Sequence, residues 1–189
     1  MDNLSDEQLM TGILAGDTTS LTVLVERHYG SLLGYLYRLL GGNRPLAEDI
    51  TQDTFLHVLQ QGSYRRGRAF KPWFYAIATN LVRDHYKSAE IKRSSPQDDQ
   101  SMLSIFDTDP NPEEAVLASE QESIIAAAIM NLGEEYRAAL LLRFYHGLSL
   151  QEIAETLNIP LGTVKSRLSI GTHRLRALLS TLKEEGVRS

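Results

Sequence analysis

Three short polar side chains share one face of a helix predicted near the carboxyl end of the chain. At about 100° per residue, Ser166, Ser169 and His173 point away from the apolar line that begins at Val164. Hydroxyl and imidazole groups donate and accept hydrogen bonds, and short side chains allow close approach to base edges. We therefore predict that this face reads bases in the major groove of duplex DNA.

Cations lie on both sides of this polar face. Residues 163–183 contain five lysines or arginines and no acid, and such cations contact phosphates. An amphipathic helix with a solvated basic face is the alternative interpretation. The residues predicted to contact duplex DNA are Thr163, Lys165, Ser166, Arg167, Ser169, Ile170, His173, Arg174 and Arg176.

A helix-turn-helix would position these side chains. Ser149 and Glu152 have the spacing of a capping box, which predicts a helix that ends at the break over residues 158–160. Pro160 and Gly162 suit the entrance of the second helix, which carries the polar face. A capped helix, a short turn and a basic second helix are typical of proteins that read duplex DNA.

A second set of candidate side chains lies in the first half of the chain. Asp49, Gln52 and Asp53 share one side of a helix predicted from Pro45, and His57 follows one turn later. Two carboxylates and an imidazole at this spacing suit a metal ion, but catalytic metals usually take ligands from several elements, and no matching cluster occurs elsewhere. A solvated acidic face and a protein-docking face are the other interpretations, and we predict no metal site.

A cationic loop followed by an aromatic helix is the third candidate. The loop covers residues 63–70, and the helix that Pro72 opens begins with Trp73, Phe74 and Tyr75. Its later polar positions are Asn80, Arg83 and Lys87. Aromatic rings beside cations hold single-stranded nucleic acid by stacking and phosphate contact. The same rings would equally form a hydrophobic core with a solvated polar side.

Composition and charge exclude several classes of protein. The chain has 189 residues, enough for two small domains, and no cysteine, so it has neither disulfides nor thiolate sites. Its first residues do not show the basic start and apolar run that predict a signal peptide, and no apolar run approaches the roughly 20 residues of a membrane span. We therefore expect a cytoplasmic protein. The net charge of −5 conceals segregation: residues 64–93 carry eight cations against two acids, and residues 94–114 carry six acids and no base.

The 3.6-residue periodicity predicts helices and no strand. Helices are expected to start near Ser5, Asp17, Pro45 and Pro72, and to cover 113–130, 134–145 and the helix-turn-helix. In the third helix, Leu59 is expected to face inward with Val58. Residues 94–112, rich in Ser, Asp and Pro, predict a flexible acidic linker. The predicted fold is all-α, with two small domains at 1–93 and 113–189.

Three motifs, in this order, resemble those of one protein family. AEDITQDTFLHV, KPWFYAIATNLVRDH and LSLQEIAETLNIPLGTVKSRL are similar to the core-binding, promoter-melting and promoter-reading motifs of an extracytoplasmic-function (ECF) sigma factor of the sigma-70 family. The resemblance implies that Asp49, Gln52 and Asp53 dock on the clamp helices of the largest polymerase subunit, and that residues 163–176 read the minus-thirty-five element. It also implies minus-ten contacts by Arg65, Arg66, Arg68, Lys71, Trp73, Ile77, Asn80, Arg83 and Lys87.

Two places depart from the family pattern. Asp53 stands where glutamate is usual, which shortens the side chain by one methylene and should leave docking possible. After SRL the family usually continues with small and basic residues, where this chain has Ser169, Ile170 and Gly171. Isoleucine cannot contact phosphate or guanine, so known minus-thirty-five sequences do not carry over. Gly171 costs a helix about 1 kcal/mol relative to alanine and permits either a bend or close packing.

The resemblance implies a transcription initiation factor rather than an enzyme. Its partners would be core RNA polymerase, promoter DNA and an anti-sigma factor, with no cofactor, no stable homo-oligomer and no membrane insertion. The alternative is a helix-turn-helix regulator that binds duplex DNA as a dimer without polymerase. An enzyme acting on nucleic acid is a third class, but the five histidines are scattered and no catalytic cluster is found.

Overall fold

The computed structural model describes residues 4–60, 64–65, 67–93 and 120–186. Over these ranges it contains helices and no strand, which confirms the predicted all-α class. Within the same ranges, no helix is both long and apolar enough to cross a membrane. In chain order the α-helices are α1 (Asp6–Leu14), α2 (Thr18–Leu39), α3 (Arg44–Gln60), α4 (Phe70–Arg93), α5 (Glu120–Met130), α6 (Glu134–Leu140), α7 (Leu150–Leu157) and α8 (Leu161–Gly186).

The chain divides into two compact units. The first comprises Met1–Leu36 and Arg44–Ser104, and the second comprises Tyr37–Asn43 and Ile105–Ser189. Thus α1, α3, α4 and most of α2 belong to the first unit, and α5 to α8 belong to the second. The predicted linker over residues 94–112 lies outside the described residues, so the predicted domain boundaries stay a prediction.

Side-chain caps define the starts of α1 and α2. Ser5 and Gln8 form a reciprocal capping box, in which each side chain accepts a hydrogen bond from the other residue's amide. Asp17 accepts hydrogen bonds from the amides of Thr19 and Ser20, at 2.9 and 3.2 Å. First-turn amides have no acceptor within their own helix, so these side chains stabilise the helix ends. The helix starts predicted near Ser5 and Asp17 are confirmed.

The inward face of α3 combines apolar side chains with two threonines. Its buried residues are Ala47, Ile50, Thr51, Thr54, Phe55 and Val58. The Thr51 and Thr54 hydroxyls each donate to the carbonyl four residues earlier, at 2.7 Å, so burial leaves neither hydroxyl unsatisfied. The inward position predicted for Leu59 is wrong, because this side chain is 44% exposed. The buried stripe runs through Val58, and Leu59 lies about 100° around the helix from it.

Aromatic rings from α3 and α4 form the centre of the first unit. Phe74 is fully buried, and its ring centroid lies 5.0 Å from that of Phe70 and 5.4 Å from that of Phe55. Tyr75 is also buried, and its hydroxyl lies 3.0 Å from Ser31 Oγ. Burial raises the pKa of Tyr75 to about 12, because the phenolate would lose its hydration. The core interpretation of the aromatic run in α4 is therefore confirmed.

In the second unit, α8 packs against α5, α6 and α7. A π-helical turn, Leu141–Tyr145, follows α6, and within this region the His146 amide donates to the Leu141 carbonyl at 3.3 Å. Gly147 then adopts a φ of +69°, which glycine tolerates without a steric penalty. The sequence predicted one α-helix over residues 134–145. The structure differs in its last turn, which is π-helical and therefore wider.

Gly171 allows α8 to lie close to α6. The residue is buried, and a Cβ added to it would lie 3.1 Å from Leu140 Cδ1 and 3.3 Å from Tyr136 Cβ. Of the two roles that the sequence left open for this glycine, the structure shows close packing. The loss of helix propensity at this position is therefore offset by the contact between helices.

Replacement of Gly171 by a large side chain is expected to destabilise the second unit. Gly171→Leu should lower the free energy of unfolding by about 1–3 kcal/mol, since overpacking forces neighbouring side chains and backbone to shift. Gly162→Leu is the matched control, because a Cβ at Gly162 meets nothing within 4 Å. Urea unfolding followed by circular dichroism measures both changes. Equal stability of the two leucine variants would contradict the close packing.

Candidate nucleic-acid interface

The outer face of α8 presents the polar side chains that the sequence singled out. Ser166, Ser169 and His173 are exposed, while Val164 on the opposite side is fully buried. The Ser166 hydroxyl donates to the Thr163 carbonyl at 3.0 Å, which leaves its oxygen as a hydrogen-bond acceptor. A row of small polar groups on a helix whose other side is buried suits contact with base edges.

The turn before α8 sets the direction of this face. The α7 capping box is present as predicted, with the Glu152 amide donating to Ser149 Oγ at 3.2 Å and the Ser149 amide donating to Glu152 at 2.8 Å. Asn158 ends α7 in the left-handed conformation, with φ of 52°. The amides of Thr163 and Val164 then donate to the Pro160 carbonyl, which closes the first turn of α8. This arrangement is a helix-turn-helix.

The predicted cations of α8 differ in their surroundings. Lys165 and Arg176 are exposed, and Arg167 is half-buried. The Arg174 guanidinium carbon lies 4.6 Å from the centroid of the Tyr136 ring, so this arginine also makes a cation–π contact within the unit. Lys165 and Arg176 are therefore the better placed of the four for contact with phosphates.

The cationic surface of the first unit combines the loop before α4 with the outer side of α4. Arg65, Arg68 and Lys71 are exposed, while Arg66 lies outside the described residues. Farther along α4, Asn80 and Lys87 are exposed, and Arg83 and Ile77 are half-buried. Arg83 Nη1 donates to Asn80 Oδ1 at 3.4 Å. The structure thus places Asn80, Arg83 and Lys87 on one side of α4.

Trp73 requires a correction. Its side chain is 3% exposed, and its ring centroid lies 4.8 Å from that of Tyr64 and 5.9 Å from that of Phe70. Because these neighbouring rings pack against the indole, Trp73 cannot stack on a base in this conformation, contrary to the prediction from the sequence. The alternative interpretation, that the aromatic rings of α4 belong to the hydrophobic core, applies to Trp73. Asn80 is the exposed α4 candidate with an amide that can hydrogen-bond a base.

The contact that holds the start of α4 was not predicted from the sequence. Glu7 of α1 accepts a hydrogen bond from the Phe70 amide at 3.0 Å, across 63 residues of sequence. This bond is the main reason that the pKa of Glu7 lies below its usual value. The Tyr64 hydroxyl donates to the Arg68 carbonyl at 2.9 Å and so ties together the loop that leads into α4. No local pattern identifies Glu7 as a cap for a helix so distant in sequence.

All three polar residues of the acidic face of α3 are exposed. Asp49, Gln52 and Asp53 are all exposed, and the apolar side chain of Leu56, which continues the same side, is 52% exposed. This exposure agrees with both interpretations of the face, as a solvated surface and as a protein-docking surface. Across the described residues, no three His, Cys, Asp or Glu side chains come together as a metal site would need.

Comparisons with known proteins identify the family of the chain. The chain matches the family models for sigma-70 region 2, over residues 24–90, and sigma-70 region 4, over residues 122–171. The ECF RNA polymerase sigma factor SigE of Mycolicibacterium smegmatis is 34% identical, over 98% of this chain and 73% of the relative. ECF RNA polymerase sigma factor SigW of Bacillus subtilis is 35% identical, over 88% of this chain and 92% of the relative.

A solved structure shares the fold. The sigma factor RpoE of Bartonella quintana, in complex with the anti-sigma factor NepR, matches with a TM-score of 0.63 at 23% identity, over 82% of this chain and 94% of that one. The two sequence relatives share a higher sequence identity with this chain than RpoE does, and each alignment covers most of both chains. The chain therefore belongs to the ECF RNA polymerase sigma factors of the sigma-70 family.

Proposed function

We propose that the protein is an alternative sigma factor that binds core RNA polymerase and directs it to a particular class of promoters. The observation that carries this proposal is that one chain of this family has two basic surfaces, one on α4 and one on α8, besides the exposed acidic face of α3. Two DNA surfaces and a protein-docking surface are what a promoter-specificity subunit requires. The protein contributes no catalysis, because the polymerase performs the chemistry.

The surfaces divide the work between the units. Residues 1–93 would bind polymerase through Asp49, Gln52 and Asp53, and would open the minus-ten element with the α4 surface. Residues 113–189 would read the minus-thirty-five element with the outer face of α8. Residues 94–112 would link the two and set the spacing between the promoter elements.

Control by an anti-sigma factor is part of the proposal. The sigma factor RpoE of Bartonella quintana was solved in complex with the anti-sigma factor NepR, and this chain shares its fold. Covering the α3 and α8 surfaces would keep the protein from both polymerase and DNA. We place the protein in the cytoplasm, where polymerase acts, and expect it to work as a monomer.

Reconstituted transcription tests the proposed function. Purified protein is added to bacterial core RNA polymerase on a genomic fragment library, and RNA 5′ ends are mapped. We expect 5′ ends that share two upstream sequence elements at a fixed spacing and that core polymerase alone does not produce. A dimer that binds duplex DNA but neither binds core polymerase nor yields such transcripts would establish the helix-turn-helix regulator instead.

A further inference from the structure

Ile170 is a large apolar side chain on a polar and basic helix face. It is 42% exposed, and Leu161 is the other large apolar side chain that is exposed in the described part of α8. Leu161 lies in the first turn, about 180° around the helix at 100° per residue. Ile170 instead lies on the same side as Ser166, which is one turn earlier in the helix, and close to His173, which is one turn later.

The charges around Ile170 select the kind of partner. Residues 163–183 carry five cations and no acid, and the exposed ones include Lys165 and Arg176. A polyanion is attracted to such a face. Duplex DNA is therefore the occupant that this charge pattern favours, and an apolar partner would have to bury these cations without compensation.

Base chemistry then limits what an isoleucine can recognise in the major groove. Guanine, adenine and cytosine present hydrogen-bond donors and acceptors there, whereas thymine also presents the apolar C5 methyl group. Isoleucine has no donor or acceptor, so placing it against a polar base edge would leave that edge without a hydrogen-bond partner. Against a thymine methyl, the same side chain removes apolar surface from water on both sides.

We propose that Ile170 is a specificity-determining residue, which selects a thymine in the minus-thirty-five element by packing against its methyl group. This proposal rests on the proposed function, because it requires α8 to lie in the promoter major groove. Ser166 and Ile170 are about 5–6 Å apart at their Cβ atoms, as four-residue neighbours on a helix are. The thymine should therefore lie within about two base pairs of the base that Ser166 contacts, at about 3.4 Å per step.

Deoxyuridine substitution tests the contact, since it removes only the methyl group. The probe is a duplex promoter with the minus-thirty-five element found by transcript mapping, and each thymine of that element is replaced in turn. At fixed salt, we expect one replacement to weaken holoenzyme binding about fourfold, as the loss of one buried methyl group predicts. The same replacement should have little effect on holoenzyme that carries Ile170→Ala.

A conservative variant separates methyl recognition from a general loss of structure. Ile170→Val keeps a branched apolar side chain and should retain most of the sensitivity to deoxyuridine at the same position. Circular dichroism should be unchanged in both variants, because Ile170 is partly exposed and its removal opens no internal cavity.

Three outcomes would overturn the proposal. A minus-thirty-five element without thymine, an element in which no deoxyuridine weakens binding, or a deoxyuridine effect of equal size in Ile170→Ala would each exclude the contact. Transcription from the mapped promoters would in all three cases leave the proposed function intact. If no holoenzyme forms, the proposed function fails, and the methyl contact fails with it.

Discussion

Charge reversal at Asp49 and Asp53 is expected to abolish most of the affinity of the protein for core RNA polymerase. The double lysine variant should bind about a hundredfold more weakly or worse, since like charges brought together across an interface cost several kcal/mol. Folding should be unaffected, because both carboxylates are exposed and exposed charges contribute little to stability. Fluorescence anisotropy of labelled protein with core polymerase measures the affinity, and circular dichroism measures helix content.

The control for this variant changes the net charge by the same amount elsewhere. Glu26 and Glu134 are exposed carboxylates on α2 and α6, so the Glu26→Lys/Glu134→Lys variant has the same net charge as the docking variant. It should bind core polymerase nearly as well as the wild type. If the Asp49→Lys/Asp53→Lys variant also binds like wild type, the docking surface has been assigned to the wrong face of the first unit.

Helix starts were predictable because their causes are local. Ser5 with Gln8 and Ser149 with Glu152 satisfy amides only three residues away, so the spacing alone predicts the cap. The same holds for the outer face of α8, where the 3.6-residue period places Ser166 opposite Val164. Neither the caps nor the polar face of α8 depends on which element packs against it.

The failures involve contacts between elements distant in sequence. Trp73 is buried because Tyr64 and Phe70 lie against it, and the helical period alone does not show which neighbours cover an aromatic ring. The Glu7 contact with the Phe70 amide depends on the packing of α1 against α4. The close packing at Gly171 likewise depends on Tyr136 and Leu140 of α6, so the sequence could narrow its role only to two possibilities.

The exposed acidic face of α3 shows the same limit in another form. Asp49, Gln52 and Asp53 were grouped correctly on one side of a helix, since their spacing determines this. Whether such a face is solvated or binds a protein depends on a partner that the chain itself does not contain. The family resemblance supplied that partner, and the charge-reversal experiment tests it.

Asn80→Ala is expected to impair promoter opening while sparing the initial binding of duplex promoter DNA. Asn80 is exposed on α4, and Arg83 donates to its Oδ1, so the side-chain NH2 group remains available as a donor to a base. Bases of the minus-ten element become accessible to such a contact only after they unstack. Loss of one polar base contact, worth about 1–3 kcal/mol, should lower the equilibrium constant for promoter opening about fivefold to 150-fold.

Permanganate footprinting of promoter thymines in the reconstituted holoenzyme measures strand opening, and a gel shift at low temperature measures closed-complex formation. Trp73→Ala is the poorer test, because it removes a core ring and would destabilise the first unit by about 3–5 kcal/mol. Ser88→Ala, an exposed change on the same helix, is the control and should give wild-type reactivity. Thymine reactivity in Asn80→Ala equal to that of the control would remove Asn80 from the melting surface, and an equal loss of closed and open complexes would mean that Asn80 contacts duplex DNA instead.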